Sequence, residues 1–335
     1  MKTTRRVRTT ALAALVAAVA GVVVAHGSAA PRAARPKVGT VVARIPIPSN
    51  SGALAVGEGA VWATSDAVPV LLRIDPATNT VVARMHITSK NVCAELPGSC
   101  GEAAAGNGAL WIARVNDNVV LRIDPRDNSL AATIPVGYQP EGIATTPGAV
   151  WVVNKGSLSV SRIDPATNTV VATVRIGPAP CCSEDMAVAA GAGAVWVSLP
   201  SADSIVRIDP ATNTVVARVQ LSGQPCAFVA AGAGTVWAAG GHCAGSVMRI
   251  NGGTNRPAAA VTGTSVPVGV AVGLGSVWVA DLGARQIVRV NPKTGRVVGR
   301  LGLRGLPVRL AVGFGSLWVR DDTGRVLRIN PATVS

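Results

Sequence analysis

Short runs of Val, Ile, Leu, Ala and Thr alternate with turn residues from about residue 38 to the end of the chain. In the first copy of this pattern the apolar runs cover residues 53–56, 60–63, 71–74 and 80–84. Runs of this length, bounded by Gly, Pro, Asp and Asn, predict β-strands, and no segment after residue 30 has the periodicity of an amphipathic helix. The pattern therefore predicts a unit of four short strands that is repeated along the chain.

Tryptophan marks each copy of this unit. The chain has seven Trp residues, spaced 40 to 49 residues apart, and each follows a Gly-x-Gly-x-Val/Leu phrase or a near copy of it: Trp62, Trp111, Trp151, Trp196, Trp237, Trp278 and Trp318. A period of about 40 to 45 residues with several short strands is typical of a β-propeller blade. We therefore predict an all-β fold, a seven-bladed β-propeller with four-stranded antiparallel blades.

The turn sequences support this interpretation. Asp75-Pro76-Ala77-Thr78-Asn79 places Pro where a turn needs φ near −65°, lets the Asp side chain accept from the turn backbone, and ends on a residue that tolerates positive φ. We expect the Asp to stabilise the turn and to have no catalytic role. The Gly-x-Gly pairs join two strands and open no helix, so they do not predict a phosphate-binding loop.

The two ends of the repeat region complement each other. The seventh copy stops just after its third strand and turn, whereas residues 38–45 match residues 78–85, with Gly39 at the position of Asn79. We predict that the N-terminal segment forms the outer strand of the last blade and closes the ring, with Gly39 in a left-handed conformation. The propeller would then span residues 38–335.

Residues 1–30 have a different composition from the rest of the chain. Basic residues precede an apolar run over residues 11–25, and small residues follow it, which is the order found in a secretory signal peptide. We predict a signal peptide over residues 1–30, with general secretion and twin-arginine export both open, and a linker over residues 31–37. The mature protein would be secreted or periplasmic, without a transmembrane segment, and we expect a monomer.

Export would permit disulfide bonds among the six cysteines. The strand pattern places Cys226 and Cys243 at adjoining ends of paired strands, so we predict that they form a disulfide, and that Cys93 and Cys100 form a second one. For the two remaining cysteines, Cys181 and Cys182, which are adjacent in the chain, a vicinal bridge and free thiols are both open. A zinc site is disfavoured because no Cys-x-x-Cys motif or spaced His partner is present.

One set of connecting loops varies between copies, while the Gly-x-Gly and Asp-Pro turns are regular. Variable loops on a repetitive scaffold are typical of a binding face. The candidate binding residues on that face are Tyr138, Glu141, Glu184, Asp281 and Arg309. For Tyr138, the only tyrosine, shielding of the core is an equally open role.

The basic charge is unevenly distributed. The formal net charge of +14 falls to +10 without the four basic residues of the leader, and +7 of this lies in residues 267–335. An anionic partner on that side is one interpretation, and solvated or structural arginines are the other. A nucleic-acid partner is disfavoured, because no aromatic residues interleave the arginines and export would remove the usual substrate.

The phrase Ile-Asp-Pro-Ala-Thr-Asn-Thr-Val-Val-Ala, at 74–83, 163–172 and 208–217, resembles the YVTN (YncE-like) repeat propellers and the related virginiamycin B lyase-like propellers. The YncE-like resemblance implies an extracytoplasmic propeller without a common chemistry. The lyase-like resemblance implies a ring-opening elimination, with a His and a Glu-bound Mg²⁺ at the propeller mouth.

The lyase-type repeat often has Glu shortly after its central strand, and none of the seven copies has Glu there. His242 is the candidate base for such a reaction, with Glu141, Glu184 and Asp281 as candidate metal ligands, and no motif groups them. We therefore predict a binding or scaffold propeller without cofactor. It would bind a protein, glycan or small molecule, and a Mg²⁺-dependent lyase is the alternative.

Overall fold

The computed structural model describes residues 38–48, 52–65, 68–87, 101–177, 185–226, 228–240 and 244–331. These residues form 28 β-strands, and one short 3-10 helix spans Pro200–Ala202. The strands assemble into seven four-stranded antiparallel sheets, each of which is one blade. The predicted all-β, seven-bladed propeller is therefore confirmed.

Six blades are continuous in sequence, and the seventh combines the two ends of the described chain. The strands are, for blade 1, β2 (Leu54–Gly57), β3 (Ala60–Thr64), β4 (Val70–Asp75) and β5 (Thr80–His86); for blade 2, β6 (Ala103–Gly106), β7 (Ala109–Arg114), β8 (Val119–Asp124) and β9 (Ser129–Pro135); for blade 3, β10 (Pro140–Thr146), β11 (Ala149–Asn154), β12 (Ser159–Asp164) and β13 (Thr169–Arg175); for blade 4, β14 (Val188–Gly191), β15 (Ala194–Leu199), β16 (Ser204–Asp209) and β17 (Thr214–Gln220); for blade 5, β18 (Val229–Gly232), β19 (Thr235–Ala239), β20 (Val247–Asn251) and β21 (Arg256–Val261); for blade 6, β22 (Pro267–Gly273), β23 (Ser276–Asp281), β24 (Gln286–Val290) and β25 (Val297–Gly302); and for blade 7, β26 (Pro307–Gly313), β27 (Ser316–Asp321), β28 (Arg325–Pro331) and β1 (Gly39–Pro46).

Strand β1 closes the ring, as predicted. It runs antiparallel to β28, from the pair Gly39 and Pro331 to the pair Pro46 and Arg325. Gly39 has the positive φ predicted for it, at +151°, and a Cβ there would collide with the carbonyl oxygen of Asn330. Gly39 is therefore favoured both by its backbone conformation and by its close approach to β28.

The hairpin turns explain the regular sequence phrases. Glu58 and Gly59 have φ of 50° and 75°, so two consecutive positive φ values produce the type I′ turn that suits a two-residue hairpin. At the Asp-Pro turn, Asn79 has φ of 60° and Asp75 Oδ1 accepts from the Ala77 amide at 2.7 Å. These turns have the geometry that the sequence predicted.

The repeated Trp and Arg residues connect each blade to the next. The Arg73 guanidinium carbon lies 5.4 Å from the Trp62 ring centroid, and Arg73 Nη1 donates to Asn128 Oδ1, in the turn of blade 2, at 3.1 Å. The same stacking occurs in all seven blades. Arg328 of blade 7 donates to Asn79 Oδ1 of blade 1 at 3.1 Å, so this contact also joins the last blade to the first. The arginines of the repeat therefore have a structural role.

The first strand of each blade is innermost, because the first strands of neighbouring blades pack against one another around the ring. Antiparallel order places the Gly-x-Gly and Asp-Pro turns on one face, here called the turn face. The beginnings of the first strands lie on the opposite face, here called the loop face. Among the described residues, no helix has the length and apolar character required to cross a membrane.

Candidate functional site

A cavity of about 180 Å³ lies at the mouth of the central channel on the loop face. The beginnings of the first strands of all seven blades line it. Its walls are largely apolar and include Leu54, Ile143, Val188, Val229, Val270 and Leu310. A concave, mostly apolar site with a few polar groups is the usual form of a ligand-binding pocket.

Three side chains from distant blades meet across this mouth. Arg309 Nε of blade 7 lies 2.9 Å from Glu102 Oε1 of blade 2, and both side chains are mostly buried. The Arg309 guanidinium carbon is 4.4 Å from the ring centroid of Phe228 in blade 5, which is a cation–π contact. The charge of Arg309 is therefore balanced by Glu102, and its planar group covers the aromatic ring.

Glu141 is the most buried carboxyl of the cavity, with 6% of its surface exposed. Its Oε2 accepts from the Met186 amide at 2.8 Å, and its Oε1 lies 3.2 Å from Lys155 Nζ. Burial, followed by the nearby charge of Asp185, raises the pKa of Glu141 to about 7, while the Met186 amide and Lys155 act in the opposite direction. Glu141 therefore changes charge near neutral pH.

The predicted site residues fall into two groups. Glu141 and Arg309 line the cavity. Tyr138 is 57% exposed, lies outside the cavity lining and has its ring over Gly156, where a Cβ would collide with it. Asp281 is fully buried, and its Oδ1 accepts from the Val266 amide at 2.9 Å, so the structure gives it a role in holding a loop of blade 6.

Glu184 and His242 lie outside the described residues. Within the described ranges, no group of three or more His, Cys, Asp or Glu residues could hold a metal ion. Glu102 and Glu141 are instead engaged by Arg309 and Lys155. The Mg²⁺ site that the lyase-like resemblance implies also depends on Glu184 and His242, so it stays a prediction.

The predicted disulfides also depend on cysteines that lie outside the described residues. Cys226 is the one cysteine that the described ranges include, and it is not a free thiol. Its predicted partner Cys243, like Cys93 and Cys100, falls outside those ranges. Both pairings stay predictions.

Sequence reasoning missed Glu102 and Phe228, although a signal was present. Both residues, like Arg309, stand nine positions before the tryptophan of their copy. The other four copies have Ala or Gly there. Because equivalent positions of a closed ring lie at the same height along the channel, large residues at this position converge on its mouth.

The fold and the cavity together define a seven-bladed β-propeller with a small pocket at the channel mouth. No protein-family model matches the chain, and no curated protein matches it in sequence. Virginiamycin B lyase from Staphylococcus aureus superposes with a TM-score of 0.70 at 13% identity, over 87% of this chain and 99% of the lyase. Kuenenia stuttgartiensis hydrazine synthase superposes with a TM-score of 0.69 at 13% identity, over 86% of this chain and 97% of that one.

The Pan2 WD40 domain of Neurospora crassa superposes with a TM-score of 0.65 at 12% identity, over 86% of this chain and 91% of the domain. The names of these three proteins indicate different functions, and identities this low show a shared fold alone.

Proposed function

We propose that this protein is an extracytoplasmic binding propeller that receives a small group of a partner in the channel-mouth cavity. The observation that supports this proposal is the cavity itself, to which all seven blades contribute. Its volume of about 180 Å³ is below the roughly 300 to 1,000 Å³ of pockets that enclose a whole drug-sized ligand. A side chain that protrudes from a protein partner would suit this size.

The charges around the cavity favour an amine on an apolar stem. Arg309 is already balanced by Glu102, whereas Glu141 has both the ammonium group of Lys155 and the charge of Asp185 nearby. Ionisation of both carboxyls therefore leaves a negative charge beside apolar walls. A lysine side chain has the complementary chemistry, with a cationic end and an aliphatic stem.

Ligand-observed NMR with butylamine, butanol and butyrate tests this proposal, because the three probes have four carbon atoms each and differ in charge. At pH 8 we expect saturation transfer to butylamine and little to butyrate. The signal should weaken in Glu141→Gln and should persist in Asp164→Asn, a turn substitution on the opposite face. Equal signals for the three probes, or an unchanged signal in Glu141→Gln, would contradict the proposal.

The lyase alternative remains a prediction that depends on His242 and Glu184. Its test is incubation of the protein with Mg²⁺ and a depsipeptide macrolactone, with ring opening followed by mass spectrometry. Turnover that requires both the metal and His242 would overturn the binding assignment. The butylamine experiment does not involve either of these residues, so the two tests are independent.

A further inference from the structure

The turn face changes its charge between blade 4 and blade 5. The residue that opens the Asp-Pro turn is acidic in blades 1 to 4 and neutral in blades 5 to 7: Asp75, Asp124, Asp164 and Asp209, then Asn251, Asn291 and Asn330. In blade 6, Asn291 Oδ1 accepts from the Lys293 amide at 2.9 Å, as Asp75 Oδ1 accepts from the Ala77 amide at 2.7 Å. The substitution therefore preserves the turn and removes its charge.

Basic residues accompany this loss of acidic ones. Arg256, which begins β21 of blade 5, and Lys293 and Arg296, in the turn before β25 of blade 6, are all exposed. The turns of these blades that reach the turn face contain no Asp or Glu. This sector of the turn face is therefore cationic, whereas the sector formed by blades 1 to 4 carries acidic residues.

The tips of the Gly-x-Gly turns also differ around the ring. In blade 1, Glu58 Oε1 accepts from the Gly108 amide of the next turn at 3.1 Å, and in blade 2, Asn107 Oδ1 accepts from the Gly148 amide at 3.0 Å. The equivalent residues of blades 6 and 7 are Leu274 and Phe314, which cannot make such a bond.

Leu274 and Phe314 are also unfavourable at these positions. Their φ values are 53° and 50°, a left-handed conformation that bulky residues rarely adopt, and they are 38% and 42% exposed. They occupy the tips of turns in neighbouring blades, on the same face as Arg256, Lys293 and Arg296. Neither turn geometry nor core packing explains two large apolar side chains here.

We infer that the turn face of blades 5 to 7 is a docking surface for an anionic lipid bilayer. Leu274 and Phe314 would enter the interfacial region, while Arg256, Lys293 and Arg296 would contact the headgroups. A bilayer suits this surface better than an acidic protein does, because side chains at turn tips protrude and a deformable lipid surface accepts them without a matching groove. The channel-mouth cavity, on the opposite face, would stay accessible to its partner.

Vesicle flotation tests this inference. The chain from Pro36 onward, which forms a compact unit of its own, is mixed with vesicles of phosphatidylcholine alone or of phosphatidylcholine with an equal part of phosphatidylglycerol. We expect flotation with the anionic vesicles only, and a loss of binding as salt increases. Equal binding to both kinds of vesicle, or to neither, would overturn the inference.

Four substitutions separate the apolar and the electrostatic contributions. Leu274→Asn with Phe314→Asn places a residue that tolerates positive φ at both tips, so the fold is retained and binding should fall at least about tenfold. Asn291→Asp restores the charge found in blades 1 to 4 and should weaken binding about fivefold. Val171→Thr, at an exposed outer-strand position of blade 3, is the matched control and should bind like the parent. Parent-level binding by the double Asn variant would refute lipid insertion.

Discussion

Replacement of Glu141 by Gln should remove a pH dependence of folding stability that this carboxyl imposes. Glutamine is nearly isosteric, and its amide oxygen can still accept from the Met186 amide that now donates to Oε2 at 2.8 Å. It resembles the protonated form of Glu141 and cannot ionise. The variant therefore isolates the free energy of ionising this buried group.

The magnitude follows from the pKa of Glu141, which burial and the charge of Asp185 raise from 4.5 to about 7. At about 1.36 kcal/mol per pH unit, this difference corresponds to roughly 3 kcal/mol. Because the folded pKa is the higher one, the folded state binds this proton more tightly than the unfolded chain does. The contribution is thus fully present below pH 4.5 and is lost as pH rises through about 7.

Urea unfolding at several pH values between 4.5 and 8, followed by tryptophan fluorescence, measures this effect, since all seven tryptophans are buried. The free energy of unfolding of the parent, minus that of Glu141→Gln, should fall by roughly 3 kcal/mol across this range. When the same comparison is made in an Asp185→Asn background, the fall should be smaller, because the charge of Asp185 no longer raises the pKa of Glu141. A difference that stays constant with pH would show that Glu141 has the same pKa in the folded and unfolded states and would refute the argument.

Three further predictions concern the fold. Deletion of residues 31–46 removes β1 and exposes the edge of β28, so the truncated protein should aggregate or lose cooperative unfolding, and a monomeric product with an unchanged melting temperature would contradict ring closure. Non-reducing peptide mapping should join Cys226 to Cys243, which should stabilise the fold by roughly 3 kcal/mol, and another partner for Cys226 would refute this pairing. Arg207→Ala removes the stacking on Trp196, at 5.4 Å, and the hydrogen bond to Asn255 of the next blade, and should lower the free energy of unfolding by about 2 to 3 kcal/mol. Replacement of the exposed Arg218 by Ala should lower it little. Equal effects of the two substitutions in urea unfolding would contradict the structural role of Arg207.

The local elements of the fold could be predicted from the sequence because each depends on a few neighbouring residues. Alternation of apolar runs and turn residues identified four strands in each copy, and the Asn and Gly positions identified turns with positive φ. Ring closure was also predictable, because residues 38–45 repeat the fourth strand that the last copy lacks. The positive φ of Gly39 was predictable from its match to Asn79, whereas its close approach to Asn330, at the other end of the chain, was not.

The site depended on tertiary structure. Asp281 and Glu141 were equal candidates, because both are acidic and lie on the loop face. In the structure, Asp281 accepts hydrogen bonds from its own blade, whereas Glu141 lines the cavity. Because both side chains are buried, this difference results from side-chain direction, which the repeat pattern does not encode.

The sequence by itself determined the number of blades, their strands and turns, and the strand that closes the ring, because a repeat encodes its unit locally and the number of copies sets the number of blades. Only the tertiary structure determined which side chains meet. Arg309 and Glu102 are 207 residues apart and form an ion pair of 2.9 Å, because closure of the ring brings the seventh blade near the second across a narrow channel. That contact, the raised pKa of Glu141 and the cavity between them are products of the closed ring.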